Sequence, residues 1–291
     1  SRGLGDVYKR QHKSIGLQTM YQGSINNNFI TVGLDLEMTE GQLNEFQTAP
    51  DVSFGPRLAY PNGAHYDYDV ESKIIAAFIN FEWNLTEKTK LVTGIRGEKV
   101  DYEYETNITP GTKGRIQVAP NRSDDFTEFS PKLAINHKIN DDLAIFANLS
   151  RGNRAPQTTD LYRIQSKQIP GGAKSEKLDS FEIGLRGNFS IFNLELVGFD
   201  MQKENYFFRD SQGFNVENGK TTHRGFEVNF LIEFNQFFQI ENSSSFAEHE
   251  YDFDHSPNGI KSGNQIDSAP ELLANTRSVS YTHLRAHETS R

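Results

Sequence analysis

Apolar and polar residues alternate on both sides of a very short turn in Phe129–Arg163, FSPKLAINHKINDDLAIFANLSRGNRAPQTTDLYR, and this period limits the possible folds more than any other feature of the chain. A period of two residues puts one side chain up and the next down, so each segment is a strand with one greasy and one polar face. In the first strand Leu133, Ile135 and Ile139 share a face, opposite Lys132, Ala134, Asn136 and Lys138; in the second, Leu143, Ile145, Ala147 and Leu149 share one. Asn140, Asp141 and Asp142 form the reversal, since Asn and Asp tolerate the backbone conformations of a tight turn. A long polar loop then begins at Arg154-Ala155-Pro156.

The plan repeats. Ile30, Val32, Leu34, Leu36 and Met38 alternate with Thr31, Gly33, Asp35 and Glu37, and Ile75, Ala77, Ile79, Phe81, Trp83 and Leu85 alternate with Phe78, Asn80, Glu82 and Asn84. Phe181, Ile183, Leu185 and Phe189 form another such face, as do Phe226, Val228, Phe230, Ile232 and Phe234. Long polar stretches are expected over residues 40–70, 107–127, 152–177, 209–220 and 252–269, and short turns near 86–88, 190–193 and 235–236. Roughly ten strands result, each long enough to cross a bilayer at a tilt. The fold class expected is all-β: part of a transmembrane antiparallel β-barrel with short periplasmic turns and long extracellular loops. Trp83, close to a strand end, suits the aromatic girdle at a membrane boundary. A soluble sandwich or propeller also alternates, but its strands rarely run this long.

The two ends read differently from the body. Ser1–Gln11 (SRGLGDVYKRQ) can be written in codons that look like a transposase adapter used for sequencing libraries, and the reverse complement of that DNA encodes VSYTHLRAHET, Val279–Thr289. Residues 1–11 and 278–291 are therefore expected to be adapter translation, and residues 12–277 an internal piece of a longer protein. Setting the ends aside takes Lys+Arg from 30 to 25 and Asp+Glu from 39 to 37, a body charge of about −12 instead of −9. So acidic a body argues against nucleic acid as a partner. The chain has no cysteine, which excludes disulfides and thiolate metal sites. No apolar run approaches the roughly 18 residues of a membrane helix.

FSPKLAINHKINDDLAIFANLSRGNRAPQTTDLYR resembles the hallmark stretch of TonB-dependent outer-membrane receptors, where a Ser-Pro-Lys strand and a short turn lead to a strand ending near Arg-Ala-Pro. EKLDSFEIGLRG (Glu176–Gly187) and NGKTTHRGFE (Asn218–Glu227) resemble two later segments of the same barrel. Asn153 departs from the pattern, since the family often has an aromatic residue before Arg-Ala-Pro. The resemblance implies a single-chain barrel of about 22 strands in the outer membrane of a Gram-negative bacterium, in contact with lipid. It also implies an N-terminal plug, absent from this piece, that contacts the TonB complex. The ligand implied is scarce and bulky, most often a ferric siderophore or another iron complex, with haem, cobalamin and glycans as other cases. A passive porin-like channel and a non-membrane glycan-binding β-protein are the alternatives.

Nothing suggests an enzyme: there is no Gly-x-Ser-x-Gly, no phosphate-binding glycine loop and no His-Glu-x-x-His, and no cofactor is implied. The candidate ligand-binding residues are Tyr60, His65, Tyr66 and Tyr68, whose rings can stack on or hydrogen-bond a chelate, and Arg154, Tyr162 and Arg163 in the loop after the hallmark strand. Arginine suits carboxylates and anionic chelates, and inward arginines would draw an anionic complex into an acidic vestibule. The bland counterparts are aromatic packing between loops and an Arg154–Glu182 pair holding the wall. Glu182, Arg186, Arg224 and Glu227 read as a charge ladder in the lumen. HEYDFDH (His249–His255) has two imidazoles and three carboxylates, but alternation divides them between faces, so a solvated loop tip is expected and no metal site.

Overall fold

The computed structural model describes residues 6–54, 57–209, 215–255, 259–267 and 269–280. In chain order the elements are β1 (Asp6–Ile25), β2 (Asn28–Gln47), β3 (Val52–Phe54), β4 (Arg57–Tyr60), β5 (Gly63–Asn84), β6 (Thr89–Thr106), β7 (Gly111–Lys113), β8 (Ile116–Val118), β9 (Arg122–Lys138) and β10 (Leu143–Arg154). Then follow a single helical turn, α1 (Thr158–Tyr162), and β11 (Ile164–Gln165), β12 (Glu176–Phe189), β13 (Phe192–Arg209), β14 (Asn215–Asn235), β15 (Phe238–Tyr251) and β16 (Leu272–Ser280).

Eleven strands make one sheet in the order β1-β2-β5-β6-β9-β10-β12-β13-β14-β15-β16, each antiparallel to its neighbours. Tight turns alternate with long connections, so the loops gather at one end. At the turn end, Asn26 takes a left-handed φ of 54° between β1 and β2, a conformation Asn tolerates. The expected all-β membrane architecture is observed, with one strand more than the roughly ten expected. The extra strand is β1, which begins at Asp6, inside the adapter-like run, and pairs with β2 through main-chain bonds that need no particular side chains.

The strands are also longer than alternation alone suggested. β5 has 22 residues and β2 has 20, whereas a tilted crossing takes about 9–11. Residues 41–47 and 63–70, expected as loop, extend the strands beyond the membrane, as residues 122–127 do for β9. One outer face carries the greasy belt, with Ile75 55 % exposed and Ile183 54 % exposed. Side chains so apolar and so open are costly in water and at home against lipid. Trp83 lies in this belt near the turn end, stacked on Phe81 with ring centroids 3.8 Å apart. Its Nε1 donates to Thr93 Oγ1 at 3.1 Å.

The inner face is polar and self-paired. Arg96 bridges Asp35 at 2.5 Å and Glu98 at 2.9 Å, and Arg186 Nε donates to Glu195 at 2.7 Å. The expected ladder needs one correction. Glu182, Arg186 and Glu227 face inward, but Arg224 faces outward above the belt, where it binds Asp200 at 2.7 Å. Arg224 and Glu227 are three residues apart, and an odd spacing puts them on opposite faces.

The chain's compact core lies at the loop end. Leu43, Tyr66, Tyr68, Val70, Val100, Tyr102 and Tyr104, inward on β2, β5 and β6, pack against Ile116, Val118, Leu161, Tyr162 and Ile164. The last five come from two loops that fold in over the strands and join there as a small sheet, β11-β8-β7.

Candidate functional site

His65, Tyr66, Tyr68, Tyr162 and Arg163 come together at this loop-end core, and a bulge explains how His65 joins them. β2 and β5 pair Glu45 with Tyr66 and then Phe46 with Ala64, which leaves His65 as an extra residue. A bulge shifts the side-chain alternation by one, so His65 and Tyr66, adjacent in sequence, are both buried on the inner side, at 4 % and 3 % exposure. His65 Nε2 lies 2.8 Å from the Pro61 carbonyl oxygen. Its Nδ1 lies 3.5 Å from Glu45, which also accepts from Arg163 Nε at 2.8 Å. Burial pushes the Glu45 carboxyl up, but its bonds to His65 and Arg163 outweigh that and hold it below the usual carboxylate range. Burial likewise acts against the Arg163 charge, and its hydrogen bond to the Glu45 carboxylate outweighs that, so the guanidinium stays protonated.

Tyr66, Tyr68 and Tyr162 serve packing and fastening. Tyr162 stacks on Tyr104 with centroids 4.3 Å apart, and Tyr68 tilts against Tyr104 at 5.1 Å. Tyr162 OH donates to Asp124 at 2.9 Å, and Arg122 clamps the same carboxylate through two bonds of 2.7 and 2.6 Å. Tyr66 OH donates to the Ile164 carbonyl at 2.5 Å, and Tyr102 OH to the Pro156 carbonyl at 3.1 Å. Four contacts thus fasten the segment 155–165 to the inner wall: Tyr102–Pro156, Tyr162–Asp124, Arg163–Glu45 and Tyr66–Ile164. Burial raises the pKa of Tyr66 and Tyr162, with Asp124 adding to it for Tyr162, so both stay neutral donors.

Tyr60 and Arg154 remain more open. Tyr60 is half-buried at the edge of the core, with the Arg115 guanidinium 5.9 Å from its ring centre. The Arg154 side chain is 46 % exposed and pairs with Glu176 at 3.0 Å. This replaces the expected pair with Glu182: Arg154 stands directly across from Glu176, whereas Glu182 stands across from Asn148, six residues further down. Lys203 also reaches Glu176, at 3.3 Å, so two cations share one carboxylate on the inner face.

β15 ends at Tyr251, so HEYDFDH runs on into the loop, where Asp252 and Asp254 accept from Ser262. No three His, Cys, Asp or Glu side chains come close enough to hold a metal ion among the described residues. Its first histidine, however, meets His223 across the sheet. Nothing local in the sequence marks His223, Glu45 or Asp124, each of which acquires its role from a partner far along the chain.

A sequence profile described as "TonB dependent receptor-like, beta-barrel" matches residues 2–288. Among solved structures, the chain resembles the ferric yersiniabactin uptake receptor from Yersinia pestis (TM-score 0.67, 15 % identity), covering 96 % of this chain and 41 % of that one. It also resembles a ferric citrate transporter in its unliganded form (TM-score 0.68, 16 % identity, 94 % and 40 % covered). A copper transporter is a third (TM-score 0.68, 13 % identity, 88 % and 40 % covered). The chain thus spans about two fifths of the length of these proteins. No curated protein matches it by sequence.

Proposed function

The chain belongs to the TonB-dependent receptor β-barrel family, and from that membership we propose that it forms part of the wall and rim of an outer-membrane receptor for a ferric siderophore or other iron complex. The profile match across residues 2–288 carries this reading. The names of two structural neighbours, a ferric yersiniabactin receptor and a ferric citrate transporter, support iron as the cargo. Uptake in this reading draws on the TonB complex through a plug outside residues 12–277.

Charge supports a seat at the rim. Arg96, Arg122, Arg163 and Arg186 are each committed to carboxylates. Around Glu176, Arg154 and Lys203 share one carboxylate, and Asp160 is a second acid near Arg154. An anionic chelate would meet Arg154, whose side chain is 46 % exposed, as a bidentate donor. His65, Tyr66, Tyr68, Tyr162 and Arg163 hold the inward loop that shapes the seat.

The test is uptake of radio-iron chelates by cells expressing the complete receptor, with and without TonB. Uptake abolished by loss of TonB is the expected result. Uptake that persists would replace this reading with passive diffusion through an open channel.

A further inference from the structure

We propose that His223 and His249 form a seat for a divalent transition-metal ion of the copper(II) kind on the inner wall. The two residues are direct partners across β14 and β15, and Met201 is the partner of His223 on β13. Met201, His223 and His249 therefore stand in one row on three neighbouring strands, on the same face as Glu227. The row lies just above the greasy belt, whose last members on β14 and β15 are Phe226 and Phe246.

The geometry is that of paired ligands. His223 Nδ1 and His249 Nδ1 are 2.8 Å apart, with ring centroids at 5.0 Å and planes at 58°. Two imidazole nitrogens at that distance share either one proton or one cation. With metal–nitrogen bonds of about 2.0 Å, ligands at right angles are separated by about 2.8 Å, and tetrahedral ligands by about 3.3 Å. The observed spacing fits the right angle of a tetragonal site, the preference of copper(II) and nickel(II), and copper(II) binds nitrogen donors more tightly than nickel(II).

The surroundings orient the pair. Thr221, 2 % exposed, places its Oγ1 3.0 Å from His223 Nε2. When that nitrogen donates to the hydroxyl, the Nδ1 lone pair is left facing His249, the role an outer hydrogen bond plays behind a metal-bound histidine. Lys203, across from Thr221, is turned away to Glu176 at 3.3 Å and lies over the Tyr206 ring at 4.4 Å. Met201 stands across from His223 in the register, on the same face. None of this depends on which cargo the receptor carries.

Titrating the complete receptor in detergent with Cu2+, followed by electron paramagnetic resonance, tests the site. A tetragonal spectrum split by two imidazole nitrogens is expected from the unaltered protein, without recourse to a variant. His249→Ala and His223→Ala should each remove that two-nitrogen pattern, and Thr221→Val should weaken binding about tenfold. An unaltered receptor showing no such pattern, or a double variant that keeps it, would overturn the proposal.

Discussion

Glu45 and Arg163 lie 118 positions apart in the chain, and the Arg163 Nε donates to the Glu45 carboxylate at 2.8 Å. Neither side chain is fully open, at 16 % and 33 % exposure, so water competes only partly for the pair. It joins a loop to a strand at a point where no main-chain ladder does.

Breaking this contact should release the loop and leave the sheet intact. A hydrogen bond to a charged group contributes about 1.5–3 kcal/mol, and Glu45→Gln should lower the free energy of opening residues 155–165 by about that much. Hydrogen exchange of the α1 amides would measure it, and unchanged protection would show that the other three contacts suffice.

The same carboxylate makes the loop sensitive to acid. Folding lowers the Glu45 pKa from its ordinary value of 4.5, so its stabilisation is present above 4.5 and is lost as pH falls from there through the folded-state value. Exchange in residues 155–165 should therefore accelerate in that window in the unaltered protein. In Glu45→Gln the acceleration should be absent.

Tyr162 should separate packing from hydrogen bonding. Its ring is fully buried on Tyr104, and Tyr162→Ala should destabilise the rim by about 3–5 kcal/mol, as large-to-small aromatic changes in cores do. Tyr162→Phe keeps the stacking and loses only the bond to Asp124, at a cost of about 1.5–3 kcal/mol. Local exchange protection in the two variants would rank them, and equal losses would contradict the stacking argument.

The two faces of β5 should respond oppositely to charge. Ile79 belongs to the greasy outer belt and Asn80 to the polar inner wall. Ile79→Arg should cost about 2–4 kcal/mol near the membrane midplane and reduce assembly, read as loss of heat-modifiable gel mobility. Asn80→Arg should assemble normally.

Arg154 should act on affinity. Arg154→Glu reverses the charge of that exposed side chain, and the concentration of anionic chelate giving half-maximal uptake should rise about tenfold, the factor for about 1.4 kcal/mol, with the maximal rate unchanged. A fall in maximal rate alone would place Arg154 outside the binding step.

The greasy belt was legible because solvent imposes it residue by residue: Ile30–Met38 and Phe226–Phe234 alternate whatever their neighbours are. The rim was less legible. Tyr66, Tyr68 and Tyr162 read as ligand-facing loop residues because aromatic side chains suit a chelate and a core equally, and the contacts that bring this region together, Tyr66 to Ile164 and Arg163 to Glu45, span 98 and 118 residues. Arg154 was assigned Glu182, since register across β10 and β12 cannot be read from either strand alone. β1 escaped because Met20 and Tyr21 blur its alternation and its start was set aside.

The extra residue at His65 divides one strand into two independently editable parts. Below it, β5 must keep its parity, because a slip there would turn Ile75 and Ile79 away from lipid. Above it only Gly63 and Ala64 remain in the strand, so a change of length there stays in the loop and leaves the membrane contract untouched. A lineage can therefore alter the rim by small length changes, acquiring new cargo preferences without renegotiating how the wall sits in its bilayer.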